Sequence, residues 1–534
     1  MRKIVVLLFV LAVTKQIKAQ NIDSVQNSFR NKLYVADSIN NTLYNFYKNN
    51  PFYQNHIPVN FNSINAGLNF DKGKFITAQG STKTQDYFFN TEGKTRLEKV
   101  DLYGSFTFHK IFEDSTRWAH QTRFKPNVPL YFGSIKYNHY ERSIYTFKAM
   151  AERNILQNNL PLNFKIDYRI GNHFSNNDPR GDLSDFQLNT TTTLAYRLNK
   201  QLKTGLSFIY GYGREDINIG YKNKNVKPTE LLTWRNVGYG TSEEFISDLD
   251  YVTLFKRKGL DLNFDYKLTE QQNLMLKLSY LKETDDFVIL PVGANISSLD
   301  PRRLMDYTNE IIEGTLFWKF NIKSKQFLLK IGYRDETGKD LYYPRGHKAQ
   351  LNAGEVLYKY NNYLYDLQVI DFKFIGTQNN LLNRTNLSAF IGSSFSKEGK
   401  QDGSSGNNVI YNRLNINGGL SINKHTLTKK TYGIGLNGMY SLSPSNTFIV
   451  PAINEKIFYK YVIYHDFLYN TAKYAAIGLN GEYSFPAYKV LQASIKFNLN
   501  YIQCLGALEP LDRQVLSLPG KDRFSSNISL NLYF

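Results

Sequence analysis

The feature of the sequence that most constrains its fold is an alternation of apolar and polar residues in stretches of about ten positions. Residues 162–171 read LNFKIDYRIG, with apolar side chains from Leu162 to Ile170 on one face of an extended chain. The charged side chains Lys165, Asp167 and Arg169 fall on the other face. Roughly ten residues is also the length that a tilted strand needs to cross a bilayer. The alternation therefore predicts membrane-spanning β-strands with one face in lipid.

The same alternation recurs in pairs that are joined by the short polar turns NKQ, TEQQ and KSK. The pairs lie at 188–198 and 202–212, at 260–268 and 274–280, and at 312–322 and 327–333. Long polar stretches follow the pairs, at 214–258, 284–310 and 335–362. Short turns that alternate with long loops are typical of bacterial outer-membrane barrels. A soluble β-sandwich is the alternative, but its strands usually have only about five or six residues.

Further strands can be read from the same pattern. Clear candidates lie at 100–112, 387–395, 414–422, 432–442, 477–485, 491–501 and 524–534, and weaker ones at 64–70, 75–80, 145–151 and 364–375. With strands in the unassigned stretches, the sequence predicts an all-β, antiparallel transmembrane barrel of about 14 to 18 strands, an even number, with short periplasmic turns and long extracellular loops.

The composition agrees with a barrel and argues against membrane helices. Aromatic residues make up 15% of the chain, yet the mean hydropathy is −0.42. Beyond the first twenty residues, the sequence has no apolar run of about 18 residues, which a spanning helix would need. Only alternate residues of a barrel strand face lipid, so a spanning barrel can be hydrophilic on average.

The first twenty residues, MRKIVVLLFVLAVTKQIKAQ, have a basic start, an apolar run and a small residue at Ala19. This order predicts a cleaved signal peptide at 1–19, because an apolar run of about ten residues is too short for a membrane anchor. Residues 20–60 are predicted to form a short helix or an extended arm in the lumen or the periplasm, and residues 61–534 the barrel. The single cysteine, Cys504, excludes an intramolecular disulfide.

The last eight residues read NISLNLYF and end an alternating strand on an aromatic side chain. From end to end, the chain resembles outer-membrane β-barrels. In that class the last strand carries a signal for the barrel assembly machinery, with apolar residues at alternate positions and a terminal Phe. The positions that match this signal are Ile528, Leu530, Leu532 and Phe534. A glycine often found within the signal is absent, because Ser526, Asn527 and Ser529 occupy the region.

The resemblance implies that the last strand pairs with the first and closes the barrel, which leaves no strand edge in lipid. The abundance of Tyr, Asn and Lys resembles uncharacterised outer-membrane barrels of the Bacteroidota. This likeness implies the outer membrane as the location and outer-membrane lipid as a partner.

If the apolar faces meet lipid, the polar faces line the lumen. The predicted lumen-facing charges are Lys165, Asp167, Arg169, Lys203, Asp261, Asp265, Lys267, Lys277, Glu313, Lys319, Lys330, Arg334, Arg413 and Lys496. Burying so many charges without water would be costly unless they were paired. Basic residues outnumber acidic ones in this set, so one hypothesis is a wet lumen that favours anions. The alternative is an ion-paired lumen that conducts nothing.

The formal net charge of +19 favours anionic partners such as lipopolysaccharide phosphates, acidic glycans or anionic solutes. Nucleic acid is not predicted as a partner, because the basic residues are spread along the chain without a nucleic-acid motif.

Catalytic chemistry has little support in the sequence. None of the eight histidines lies in an HExxH motif, and no GxSxG motif is present. The nearest arrangements are His173 with Ser175 and His465 with Asp466. Loose cation sites could form at the acidic pairs Asp285 with Asp286 and Glu243 with Glu244, although solvated acidic loops are more common. The sequence therefore predicts no enzyme, no cofactor and no metal site.

The function predicted from the sequence is a pore or an uptake component for solutes. One alternative is an accessory or structural subunit of a larger outer-membrane complex, beside a TonB-dependent transporter or another outer-membrane protein. A second is a surface binding protein whose loop aromatics and basic residues grip a glycan or a protein. The loop residues considered are Tyr239, Tyr251, Tyr307, Tyr342, Tyr343, Lys222, Lys224, Arg302, Arg303 and Arg345. These aromatics could instead pack on one another.

Overall fold

A computed structural model describes most of the chain. The described residues are 38–155, 159–222, 232–245, 249–290, 302–348, 361–381, 384–451, 458–488, 491–506, 508 and 518–534. The predicted signal peptide at 1–19 and the first part of the segment 20–60 lie outside these residues, so both stay predictions.

The described residues contain one large antiparallel sheet, a small second sheet and a few short helices. The strands of the large sheet are β1 (Phe61–Gly73), β2 (Lys83–Leu97), β3 (Val100–Thr116), β5 (Asn138–Ile155), β6 (Leu160–Ser175), β7 (Arg180–Arg197), β8 (Leu202–Gly220), β11 (Leu249–Thr269), β12 (Gln272–Leu290), β13 (Arg302–Ile322), β14 (Lys325–Lys348), β15 (Tyr363–Gln378), β16 (Thr385–Asp402), β17 (Asn407–His425), β18 (Thr431–Leu442), β19 (Asn446–Ile449), β20 (Tyr474–Tyr488), β21 (Leu491–Cys504) and β22 (Asp522–Tyr533). The small sheet contains β4 (Tyr131–Ser134), β9 (Thr233–Val237) and β10 (Thr241–Phe245). The helices are α1 (Ser38–Tyr47), a 3-10 helix (Pro51–His56), a π-helix (Tyr459–Ile463) and α2 (Tyr464–Thr471).

In the described part of the chain, 18 strands of the large sheet form a closed barrel, and the short β19 pairs with the start of β17. The last strand, β22, pairs with β1 in the register Ser63 with Tyr533. Beyond the strand, the backbone N–H of Asn62 donates to the carbonyl of Phe534 at 2.9 Å, and the reverse bond is 3.0 Å. The predicted transmembrane barrel and its closure by the last strand are thus confirmed.

The predicted alternation sets which side chains point outward. In β8 the apolar side chains of Leu206, Phe208 and Tyr210 are exposed on the outer surface, whereas Lys203 and Ser207, at odd-numbered positions, are buried inside. Period two places neighbours on opposite faces, so one face meets lipid and the other the interior. No helix in the described ranges combines the length and the apolar character needed to cross a membrane.

Two details of the strand prediction are wrong. The second strand is β2 at 83–97, and residues 75–80 belong to the connection that precedes it. The stretches expected to be long loops also contain strand, since β8 continues to Gly220, β11 begins at Leu249 and β14 continues to Lys348. These stretches lack the alternation because of the solvent: a strand that continues beyond the bilayer no longer needs an apolar face towards lipid, so pairing continues without an apolar alternation.

The connections define two ends of the barrel. We call the end with the short turns, such as 198–201 and 323–324, the turn end, and the end with the long connections, such as 117–137 and 443–473, the loop end. Helix α1 and the 3-10 helix lie inside the barrel near the turn end, because they contact residues next to the short turns. The small sheet, the π-helix and α2 lie at the loop end.

Candidate functional site

The interior of the barrel is the candidate functional site, and the charges predicted to line it differ in how deeply they are buried. Lys165, Lys203, Asp261 and Asp265 are buried against interior groups. The half-buried members of the set are Asp167, Arg169, Lys277, Glu313, Lys319, Lys330, Arg334, Arg413 and Lys496, and Lys267 is exposed beside a turn.

The structure brings several of these charges together. Lys165 Nζ lies 2.7 Å from a carboxylate oxygen of Asp167. Lys277 Nζ lies 3.2 Å from Asp261. Neighbouring wall positions of opposite sign therefore pair along and across the strands, and each pair reduces the cost of enclosing its charges.

Other wall charges pair with acids that the sequence analysis missed. Asp185 accepts hydrogen bonds from Arg169 and from Arg123. Lys330 pairs with Asp371 at 3.0 Å. The same alternation, applied to β7 and β15, would have placed both acids on the inner face. The basic excess of the predicted set is therefore smaller on the actual wall.

Residues 38–57, which we call the plug, lie inside the turn end of the lumen. The apolar residues of the plug pack on an inward-facing apolar band that crosses the middle strands of the barrel. The plug contributes Ile39, Leu43, Phe52 and Tyr53, and the wall contributes Ala195, Met275, Phe317, Leu328 and Ile375. On the other side of the lumen, Tyr44 and Ile57 pack with Phe61, Tyr103 and Met150. The plug thus contacts the wall on both sides.

Wall lysines hold the backbone of the plug. Lys94 Nζ donates to the carbonyls of Gln54 and Ile57 at 2.8 and 2.7 Å. Lys203 Nζ donates to the carbonyl of Phe52 at 2.7 Å, and Lys165 Nζ donates to the carbonyl of Asn49 at 3.0 Å. Each bond pairs a buried lysine ammonium group with a backbone carbonyl of the plug.

Two side-chain contacts fix the same segment to β11. Asn50 Nδ2 donates to Asn263 Oδ1 at 2.7 Å, and Asn50 Oδ1 also accepts from the backbone N–H of Phe52 and so caps the 3-10 helix. His56 Nε2 lies 2.7 Å from a carboxylate oxygen of Asp265. None of these contacts is a strand pairing, so the plug sits against the sheet without being part of it.

A cap lies at the loop end, and we define it as the small sheet β4–β9–β10 with the π-helix and α2. Its core is aromatic: Trp118 lies 6.1 Å from Trp234 and 5.7 Å from Phe458 between ring centroids. Barrel strands that extend past the bilayer contribute further buried rings, including Tyr307 and Tyr363.

The turn between β9 and β10 is fastened to the opposite wall. Tyr239 N–H donates to Asp402 at 2.5 Å, and Asn407 Nδ2 donates to the carbonyl of Tyr239 at 2.6 Å. Gly238 and Gly240 flank this tyrosine with φ of 80° and 132°. A Cβ on Gly238 would lie 2.2 Å from Asp402, so a larger residue would push the turn off its anchor. The hairpin therefore crosses the mouth of the barrel.

His120 is a buried titratable group of the connection that leads into the cap. Its ring Nδ1 is hydrogen-bonded to the Tyr140 hydroxyl, and its Nε2 has no partner among the described residues. Burial, with a smaller contribution from the charge of Arg142, lowers the pKa of His120 to about 3. The closed cap thus holds this histidine in its neutral form.

Between the plug and the cap, the interior has room for water. The inward-facing pair Arg334 and Glu313 keeps side-chain exposures of 38% and 42%, and the pair Lys330 and Asp371 keeps 33% and 36%. Ion pairs in a dry core would be covered, so these values indicate a solvated chamber.

The residues weighed for catalysis have structural partners. His173 Nε2 lies 3.1 Å from Asp185, and Ser175 Oγ accepts from the backbone N–H of Gly181. His465 Nε2 bonds to the carbonyl of Ile76, and Asp466 accepts from the N–H of Ala78. Both histidines thus have hydrogen-bond partners other than the neighbours with which the sequence grouped them.

In the acidic pair Asp285 and Asp286, which was considered for a cation site, both carboxylates pair with lysines. Lys125 pairs with Asp285 at 3.0 Å, and Lys256 pairs with Asp286 at 3.2 Å. Within the described ranges, no group of three or more His, Cys, Asp or Glu residues is arranged to hold a metal ion. Nothing is described of the side chains of Glu243 and Glu244.

The loop aromatics do not form an exposed gripping surface, which corrects one of the sequence-based alternatives. All five are buried, and four of them belong to the core of the cap: Tyr239, Tyr251, Tyr307 and Tyr342. Arg303 pairs with Asp286 and Asp306. Lys222 is exposed, and Lys224 and the side chains of Arg302 and Arg345 lie outside the described part. The rings pack on one another because the loop end folds inward over the lumen.

The sequence matches one family model, described as "Family of unknown function (DUF6850)", over residues 51–534. No curated protein matches the sequence significantly.

Among solved structures, the fold is similar to the RagAB peptide importer in the "closed-closed" state, at 8% identity and a TM-score of 0.40, covering 90% of this chain and 87% of that one. It is similar to the FrpB iron transporter from Neisseria meningitidis at 10% identity and a TM-score of 0.39, covering 90% and 82%. It is also similar to the siderophore receptor PiuA from Acinetobacter baumannii, at 9% identity and a TM-score of 0.37. That match covers 88% of this chain and 82% of that one. At these TM-scores the fold assignment rests on the strand pairing described above.

Proposed function

Because the chain belongs to the family of unknown function DUF6850, whose description assigns no activity, we propose a function from the structure itself. The protein is a gated uptake component of the outer membrane, and residues 38–57 are a displaceable plug that closes its solvated lumen. The observation that carries the proposal is the attachment of the plug: it contributes no strand to the sheet, and buried wall lysines hold its backbone carbonyls.

Attachment through side chains allows the plug to be displaced from the lumen reversibly. When the plug is displaced, Lys94, Lys165 and Lys203 regain water, so their hydration offsets the lost hydrogen bonds. The barrel itself keeps every strand pairing, because the closure runs through β1 and β22 and not through the plug. The solvated chamber above the plug then becomes continuous with the solvent at the turn end.

The experiment is a conductance comparison in planar bilayers. The full chain is compared with a variant that lacks residues 38–56 and with the double variant Asn50→Cys, Asn263→Cys, both prepared with Cys504→Ser. We expect the full chain to conduct rarely, the deletion variant to conduct steadily, and the double variant to stay closed until it is reduced. Reversal potentials in a salt gradient then test whether the interior favours anions, as its basic residues predict.

A second candidate function has an observation of its own in favour. Packed elements lie inside both ends of the lumen and most of the predicted wall charges have partners, which suits a non-conducting accessory subunit of a larger outer-membrane complex. Silence of a correctly folded deletion variant would favour this candidate and contradict the gated lumen. A stable partner that co-purifies with the full chain would then identify the complex.

A further inference from the structure

The outer surface of the barrel carries a basic cleft at the loop end of the first strands. The cleft has a volume of about 540 Å³ and lies where β1, β2, β3 and β5 end or begin. Its charged lining residues are Lys72, Lys74, Lys83, Asp114 and His139. The remaining lining is polar or aromatic and includes Tyr137 and Asn177.

The strand alternation places these groups on the lipid side of the barrel. Lys83 shares its face of β2 with Tyr87, which is 47% exposed on the outer surface. His139 shares its face of β5 with Tyr145, which is also exposed there. Lys83 precedes Tyr87 by four residues and His139 precedes Tyr145 by six, so at about 3.4 Å per residue they lie about 14 and about 20 Å farther along their strands. That is the level of lipid headgroups, above the aromatic belt.

The charges in the cleft are not balanced. Lys72 and Lys83 lie directly opposite each other in the pairing of β1 with β2, an arrangement that destabilises a sheet. The single carboxylate of Asp114 serves both Lys83, at 3.4 Å, and His139, at 2.5 Å. In the described part of the chain, Lys72 and Lys74 form no ion pair.

Two outward-facing lysines elsewhere on the barrel are balanced. Lys282 on β12 pairs with Glu310 on β13 at 2.9 Å, and both side chains are about half exposed. Lys256 pairs with Asp286 at 3.2 Å. The excess of positive charge is therefore a property of the cleft and not of all outward-facing lysines at the loop end.

We propose that this cleft binds a phosphate group of a glycolipid in the outer leaflet of the membrane. A phosphate between Lys72 and Lys83 would neutralise the opposed cations, and Lys74 would supply a further donor. The acyl chains of the same lipid would lie along the aromatic side chains of the outer wall below. This binding goes beyond the gated lumen and does not depend on conductance.

The test measures lipid binding to the full chain in detergent by native mass spectrometry. The probes are diphosphorylated lipid A, the same lipid with both phosphates removed, and inorganic phosphate as a competitor. The cleft variant is Lys72→Gln, Lys83→Gln, and the matched control is Lys282→Gln. We expect the cleft variant to bind diphosphorylated lipid A about tenfold more weakly, since two charge-assisted bonds are lost, and the control to bind as the unaltered chain does.

Each other outcome would overturn the proposal. Equal binding by the cleft variant would mean that the lysines do not form the site. Equal binding of the dephosphorylated lipid would mean that acyl chains alone are recognised. Competition by inorganic phosphate at the same concentration as the lipid would assign the site to a free anion. A thermal unfolding comparison of the variants ensures that lost binding does not reflect a misfolded barrel.

Discussion

The two closures of the lumen are built in different ways. The plug connects to the barrel through β1 on its C-terminal side and is held by side chains of the wall, such as Lys94 and Lys203. Each described element of the cap lies between two barrel strands, and the cap has a sheet and an aromatic core of its own. Because the cap is continuous with the barrel at both ends of its chain, moving it would disrupt more packing than moving the plug. The difference assigns the gate to the turn end, and the proposed conduction requires the fixed cap at the loop end to leave a path for ions.

The strongest test of this difference removes the main apolar anchor of the plug. Phe52 is fully buried, and a Cβ on Gly205 of the facing wall would lie 2.5 Å from its ring. Burial losses of this kind cost about 3–5 kcal/mol for Phe→Ala. Phe52→Ala should therefore raise the fraction of time that single channels are open by at least about a hundredfold, since about 1.4 kcal/mol corresponds to tenfold. The control is Phe372→Ala, which removes an aromatic ring from the lipid-facing surface.

If single channels of Phe52→Ala stay closed as often as those of Phe372→Ala, the difference between plug and cap is contradicted. This result would mean that the plug is as firmly built into the barrel as the cap is.

A smaller effect is expected when one of the lysines that hold the plug loses its charge. Lys203 Nζ donates to the Phe52 carbonyl at 2.7 Å and also lies 3.2 Å from Asn55 Oδ1. Hydrogen bonds of a charged group contribute about 1.5–3 kcal/mol. Lys203→Met should raise the open fraction by about tenfold to a hundredfold, measured in the same bilayers. Lys256→Met, which removes an outward-facing charge, should leave it unchanged, and an equal rise in both variants would contradict the role of Lys203.

The cap offers the matching test at the loop end. Asp402 accepts from the Tyr239 N–H, so Asp402→Asn keeps the shape of the anchor but removes its charge. Hydrogen exchange of residues 232–240 should become about tenfold faster, while conductance stays low because the plug is intact. Ser404→Ala loses a different Asp402 contact and serves as the control. Opening of the channel in Asp402→Asn would transfer the gate to the loop end.

The sequence predicted the barrel well because one local rule repeats along it. Strands such as β6 and β8 must present alternate faces to lipid and to the interior, so the pattern is readable in each strand separately. The plug has no such rule: Asn50 meets Asn263, 213 positions away, and the two are neighbours only after the barrel has closed. The pairing of Arg169 with Asp185 was likewise hidden, because it depends on which strands are adjacent and at what register.

The sequence left open whether the loop aromatics are exposed or packed on one another, for a related reason. Tyr239 and Tyr307 lie in or near connections that are polar on average, and loops usually run over the surface. Here the connections fold inward over an open lumen, which gives the rings a core that no stretch of the sequence contains by itself. A loop aromatic in a barrel can therefore be a core residue of a cover.

The smallest predicted effect is a pH dependence of the cap. His120 has a pKa of about 3 in the folded protein because it is buried, against about 6.5 in an unfolded chain. The unfolded or open state therefore binds a proton below pH 6.5 that the closed state does not bind, so acidification destabilises the closed state. Its stability contribution is complete above about pH 6.5 and is lost as the pH falls towards 3.

Lowering the pH from 7.5 to 5.5 should thus favour opening around His120 by about tenfold, since one pKa unit is about 1.36 kcal/mol. The measurement is hydrogen exchange of residues 117–137, corrected for the intrinsic effect of pH, with β12 as the internal reference. His120→Asn removes the titration and should flatten the response. An unchanged response in that variant would place the titrating group elsewhere. A matching response of residues 38–57 would show that the two closures open together, which would end the distinction between gate and cover.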